Sequence, residues 1–186
     1  ILDTEDATPE RRQEIAELRT SAIEVYKTEG LEAFEQTEYG TLPERTAGTV
    51  GTGQSEYFVR VLEENPDVRW TFVVAHKPAW ENAREENFAA IETALAGRPY
   101  TVFNGHGQFY RYTERHGRDY IQVATTGGEQ FPEYGRSMDH VTLVTVSDDS
   151  VDIANLLLEG ILDKAGQVPL GGEEVCFEKA TCGHDH

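Results

Sequence analysis

The sequence predicts a layered α/β fold whose C-terminal half is rich in strands, and three observations carry that expectation. Two short β-branched runs, residues 69–75 and 100–104, are bounded by Gly and Pro as buried strands are. Each follows a stretch whose apolar residues recur at helical spacing. Beyond His106 the pattern changes to short strands separated by turn residues. The order is therefore helix, helix–strand, helix–strand, then antiparallel strands, which suits a sheet layered against helices.

Taken in order, Ile1, Leu2, Asp3 and Thr4 read as the end of a strand. Thr8 is a good N-cap, Pro9 suits the first helical position, and Glu10 suits the positive end of the helix dipole. Ile15, Leu18, Ala22 and Val25 then predict a helix over 9–27, which Leu31 to Phe34 continue or restart. Residues 39–52, with three glycines and Pro43, read as a loop. Gly53 and Gln54 open a second helix with Tyr57, Phe58, Val61 and Leu62 on one face. Asn65-Pro66-Asp67 ends it, because proline lacks the amide proton and restricts the residue before it. A third helix is expected over 84–96, with Phe88, Ile91 and Leu95 inward and Gly97 capping its end. Strands over 109–113 and 119–124 flank a turn at Glu114-Arg115-His116-Gly117. Residues 125–137 are irregular, and strands over 140–146 and 151–157 form a second hairpin. The chain from Lys164 reads as a tail, leaving 1–163 as the structured domain and 164–186 outside it.

At 186 residues the chain is long enough to bury a real core. Acidic residues outnumber basic ones 34 to 16, giving a net charge of −18. That field opposes binding to nucleic-acid backbones and to anionic membrane surfaces. A solvated acidic surface suited to a salty medium is the plain explanation. No apolar run approaches the ~20 residues that span a bilayer, and no signal peptide is visible. Cys176 and Cys182 are close enough in sequence to close a small loop in an oxidising compartment.

Chemistry concentrates at two turns. His76 directly follows the first β-branched run and His106 follows the second, where α/β folds place their ligands. Imidazole is the commonest side-chain ligand of transition metals. Glycines on both sides of His106 permit the close backbone approach that a crowded ion site needs.

His76-Lys77-Pro78, followed by Gly105-His106-Gly107-Gln108-Phe109-Tyr110, resembles the last two metal motifs of the calcineurin-like metallophosphoesterases. The purple-acid-phosphatase-type branch, with Gly-His-x-His before an aromatic hairpin, is the nearest in pattern. Leu2-Asp3-Thr4 resembles the strand after that family's Gly-Asn-His motif. Residues 54–62 resemble the helix before the His-x-Pro strand, and 119–128 resemble the strand and glycine turn after the metal loop. The resemblance covers most of residues 1–163. It implies a layered β-sandwich flanked by helices (αββα), of which this chain is the C-terminal half only. It also implies two divalent metal ions (Fe, Mn or Zn) that activate water for attack on phosphate mono- or diesters. By motif position, His76 and His106 would ligate one metal, and Gln108 would stand where the family has a histidine for the other. An amide oxygen is a harder ligand than imidazole and shifts that site toward hard ions such as Mn²⁺ or Mg²⁺.

The family's Asp-x-His, Gly-Asp-x-x-Asp and Gly-Asn-His motifs are absent, and Ile1 falls where they should have ended. The remaining ligands are thus expected from an N-terminal half on a longer or separate chain, and no catalytic residue is identifiable in these residues. Asn104, Tyr110 and His140 are candidates to contact substrate or to support the ligands, as is Tyr112 beside the same loop. His116 reads as an exposed turn residue, and Trp80 either walls the site or packs beneath its loop. Cys176, Cys182, His184 and His186 have the residue types of a small soft-metal site without a standard zinc spacing. The cysteine pair and the resemblance favour a place outside the cytoplasm. Besides a phosphoesterase, two alternatives stand: a degenerate, non-catalytic relative kept for binding, and an acidic binding domain outside this family.

Overall fold

The computed structural model describes residues 1–128, 135–148, 150–158 and 161–165, with the side chains of 161–163 left aside. It is a mixed α/β protein with two compact units: Ile1–Pro66 with His76–Ala96, and Asp67–Ala75 with Gly97–His186. No described helix is long and apolar enough to cross a membrane.

The first unit is helical. α1 spans Pro9–Glu29, and Thr8 caps it by accepting from Arg11 N at 3.2 Å. Gly30, at φ +89°, ends α1 and leads into the short α2, Leu31–Glu35, so the chain restarts a helix rather than continuing one. The expected loop contains α3, Pro43–Thr46, a single turn started by its proline. α4 runs Thr52–Glu64, one residue earlier than expected. Of its expected apolar face, Phe58, Val61 and Leu62 are half-buried but Tyr57 is exposed, and the fully buried residue is Ser55. α5, Glu86–Leu95, packs against α4 with Phe88, Ile91 and Leu95 buried as anticipated. Gly97 follows at φ +82°, the left-handed position that ends many helices. Ile1 to Thr4 correct the strand expectation. Leu2 and Thr4 are buried, yet among the described residues this stretch joins no ladder and carries only isolated bridges, at Leu2 and, just beyond it, at Glu5 with Thr49.

The second unit holds two sheets. β1 (Thr71–Ala75), β2 (Tyr100–Asn104), β3 (Arg111–Arg115) and β4 (Arg118–Gln122) form one, in the order β1-β2-β4-β3. β1, β2 and β4 are parallel, and β3 runs antiparallel along the outside of β4. The sheet is thus mixed, because β4 inserts beside β2 instead of extending an antiparallel series. His116 (φ +54°) and Gly117 (φ +65°) form the β3–β4 turn, both left-handed as the twist of a two-residue hairpin requires. β1 was expected to be buried on both faces. Val73 and Ala75 are buried, but Phe72 and Val74 lie open on the other face at the sheet edge.

The other sheet is antiparallel: β5 (His140–Val146), β6 (Val151–Leu157) and β7 (Ile161–Asp163), in that order. The β5–β6 hairpin has the bounds expected of it, whereas β7 was missed because three residues give no readable period. Ile121 and Tyr110 meet Ile153 and Met138 in one apolar cluster. Phe103, Tyr112, Val144 and Leu157 pack around it, so side chains of both sheets share a core.

Candidate functional site

Three strands end together at one edge of the mixed sheet. Ala75 lies opposite Asn104 in register, and Asn104 opposite Gln122, so the turns after β1, β2 and β4 leave from the same carboxyl edge. His76 follows the first and His106 the second.

The turn after β2 is built from constrained backbone. Gly107 N donates to Gly105 O at 2.9 Å across His106, whose φ is +69°. That is the γ-turn of the strained hand, rare for a residue with a side chain. Gln108 is left-handed as well, at φ +57°. Such conformations persist only where the surroundings hold them, and they concentrate at functional sites. The surroundings here are explicit. Gln122, nearly fully buried, donates from Nε2 to Phe109 O at 3.0 Å and accepts at Oε1 from Asn104 Nδ2 at 3.3 Å. Ser137 Oγ donates to Gln108 O at 3.2 Å, and Tyr110 N donates to Arg136 O at 2.9 Å. A Cβ at Gly107 would lie 2.8 Å from Gln122 Cδ and force that buried amide to shift, so glycine suits the position.

The same turn presents acceptors that no described residue satisfies. Gln108 Oε1 and Asn104 Oδ1 are buried without a hydrogen-bond partner among the described residues. A buried carbonyl left unpaired costs about 1–3 kcal/mol, so these two oxygens are able to accept from a donor that reaches the turn.

His140 lies on the neighbouring segment. Its backbone N donates to Thr125 O at 3.0 Å, while Thr126 Oγ1 donates to His140 O at 2.8 Å. The ring packs edge-on against Tyr110 with centroids 5.8 Å apart, and Nδ1 is buried without a partner among the described residues. Burial pushes its pKa below the ordinary imidazole value, and backbone groups at Met138 and Thr125 offset part of that. His140 is therefore an enclosed imidazole whose charged form burial disfavours. Asp139 secures the loop beside it, its Oδ1 accepting from Thr125 Oγ1 and Gly127 N, both at 2.7 Å.

Tyr110 is fully enclosed, with its hydroxyl donating to Lys164 O. It supports the loop from beneath rather than facing solvent. Tyr112 donates to Asp119 Oδ1 at 2.9 Å, and burial with that carboxylate beside it raises the phenol to about 12. Lys164 completes the group: Nζ pairs with Asp119 at 2.8 Å and lies 5.5 Å from the centre of the Tyr112 ring. Lys164 is thus firmly held where a loose tail was expected to begin. Cys176, Cys182, His184 and His186 lie outside the described residues.

His76 belongs to the helical unit, where it is exposed. Lys77 N donates to Thr4 Oγ1 at 2.8 Å, and Lys77 Nζ bridges Glu5 at 2.6 Å and Glu44 O at 2.8 Å. A cleft of about 410 Å³ opens beside these residues, lined also by Arg12 and Asp3. Trp80 packs against Phe88 with ring centroids 5.6 Å apart, beneath its loop. His116 is the exposed turn residue expected.

The structure therefore brings Asn104, His106, Gln108, Tyr110 and His140 into one unit around one strand edge. Among the described residues, no three His, Cys, Asp or Glu side chains gather as a metal site. Gln122 and Asp139 are the structurally important residues that sequence reasoning missed. Gln122 had a signal: a polar amide within the apolar run Tyr120-Ile121-Gln122-Val123. Compared with known proteins, the chain matches no family model, no curated protein and no solved structure.

Proposed function

We propose that this chain is part of a metal-dependent phosphoesterase that hydrolyses phosphate mono- or diesters. The observation that carries the proposal is the turn after β2. A strained histidine is followed two residues on by an amide whose Oε1 is buried and unpaired among the described residues, at the carboxyl edge of the three parallel strands. His76, His106 and Gln108 are the ligands by motif position. The residues present fit a partial shell, since an unsatisfied carbonyl oxygen and an imidazole are donors for a hard or borderline divalent ion. Two such ions, when bound, supply an activated water and a Lewis acid for the phosphate.

The chain's own residues have narrower tasks in this scheme. The γ-turn fixes the His106 backbone, Gln122 and Ser137 hold the loop to which Gln108 belongs, and His140 with Tyr110 closes it from below. Asn104 offers a further oxygen to a ligand proton or a cation. Carboxylate ligands come from a completing N-terminal half, on a longer or separate chain. The αββα arrangement belongs to this proposal, supported by the core that the two sheets share.

The test is hydrolysis of p-nitrophenyl phosphate and its bis ester by the natural full-length protein with Mn²⁺, Zn²⁺ or Fe²⁺ supplied. The expected result is turnover that His76→Ala and His106→Ala each abolish while the fold is kept. Turnover unchanged in both variants would sink the proposal. Gln108 in place of an imidazole favours one second reading, a relative that binds metal or phosphate without turnover. Metal retention with no hydrolysis in the full-length protein would establish that instead.

A further inference from the structure

We propose that β5 is a self-association strand, pairing antiparallel with β5 of a second copy of this chain across a two-fold axis at Leu143. Among the described residues β5 is the outer strand of its sheet, and its register with β6 runs without a bulge from His140↔Leu157 to Val146↔Val151. Thr125 and Thr126 engage the backbone of His140. From Val141 to Val146 the outer backbone groups have no hydrogen-bond partner among the described residues. An unpaired strand edge is a template for another strand, and proteins usually blunt it with charge, proline or a bulge. His-Val-Thr-Leu-Val-Thr-Val contains none of these, in a chain where 27% of residues are charged.

The occupant follows from the sequence of the edge. Its outward side chains are Val141, Leu143 and Thr145, with Val141 52% and Leu143 50% exposed. A two-fold axis normal to the sheet keeps each residue on its own face. It sets Leu143 against Leu143 of the second copy, Val141 against Thr145, and Thr142 against Val144. Every pair is apolar or β-branched, the kind that stabilises antiparallel sheets, and no charge meets its like within the strand. A self-complementary patch of this sort closes as a two-fold dimer. A partner selected by charge would find no charged side chain in β5 to recognise.

The net charge of −18 sets the condition. Two copies repel each other, and salt screens that repulsion. The screening length falls from ~10 Å at about 0.1 M salt to ~3 Å at about 1 M. Pairing through β5 is therefore favoured as ionic strength rises, the opposite of an interface built on ion pairs.

Sedimentation velocity from about 0.1 M to about 2 M NaCl tests this. The expected result is a monomer at low salt and a dimer at high salt. Leu143→Lys should weaken the dimer about tenfold or more by opposing two ammonium groups across the axis, with circular dichroism unchanged because the site is exposed. The axis position has its own readout, in a background with Cys176 and Cys182 replaced by serine. Leu143→Cys should cross-link at high salt, since directly opposed Cβ atoms lie ~5 Å apart. Val141→Cys should not, because its two copies are about four residues apart along the strands, some ~14 Å. A monomer at every salt concentration, or a dimer unaffected by Leu143→Lys, overturns the proposal.

Discussion

Replacing Gly107 by alanine perturbs the candidate site at its most constrained point. The backbone is not the obstacle, because Gly107 is not among the glycines with left-handed φ. The obstacle is Gln122, whose Cδ and Oε1 would lie 2.8 and 2.9 Å from the new Cβ. Gln122 is buried, and its amide holds Phe109 O at 3.0 Å and Asn104 Nδ2 at 3.3 Å. Moving that amide aside forfeits both bonds, each worth ~1 kcal/mol net, and exposes the penalty of an unpaired buried carbonyl. A cost of about 2–3 kcal/mol follows. Urea unfolding of Gly107→Ala, Gln122→Ala and the double variant separates the parts. Gln122→Ala removes the obstruction, so the double variant should be hardly less stable than Gln122→Ala alone, giving a coupling of about 2 kcal/mol. A Gly107→Ala cost below about 0.5 kcal/mol, or strictly additive variants, would refute the packing argument.

His140 gives a pH signature. Its folded pKa lies below the unfolded ~6.5, so between the two values the unfolded chain binds more protons and stability falls as pH drops. The slope contributed is at most ~1.36 kcal/mol per pH unit, and denaturation of His140→Phe, which cannot protonate, should lack that component. His116 occupies a left-handed turn position that asparagine tolerates better than histidine. His116→Asn should raise stability by a few tenths of a kcal/mol, read as a higher melting temperature without loss of any site property.

The sequence revealed elements whose signals are local. Thr8 and Pro9 announced α1 because capping and a fixed φ act within one turn. β2 and the β5–β6 hairpin were legible because β-branched runs between turn residues have few other outcomes. What sequence could not supply was partnership. Phe72 and Val74 read like core, yet they lie on the open face of an edge strand, and strand order is not written in a strand's own residues. Tyr57 fits a helical apolar stripe, but helix faces are buried by what packs on them. At the site, His106 and Gln108 stood out through the glycines around them. Gln122, fourteen residues beyond Gln108, and Asp139, further still, act through long-range contacts that no local period encodes.

If the turn carrying His106 and Gln108 is a metal site, as proposed, the purified protein holds metal there. The most direct measurement is elemental analysis of the purified, desalted natural protein beside its intact mass. Divalent transition metal should be retained at stoichiometric level and reduced in both Gln108→Ala and His106→Ala while both variants remain folded. No retained metal in the wild type, or metal content unchanged by His106→Ala, would contradict the proposal.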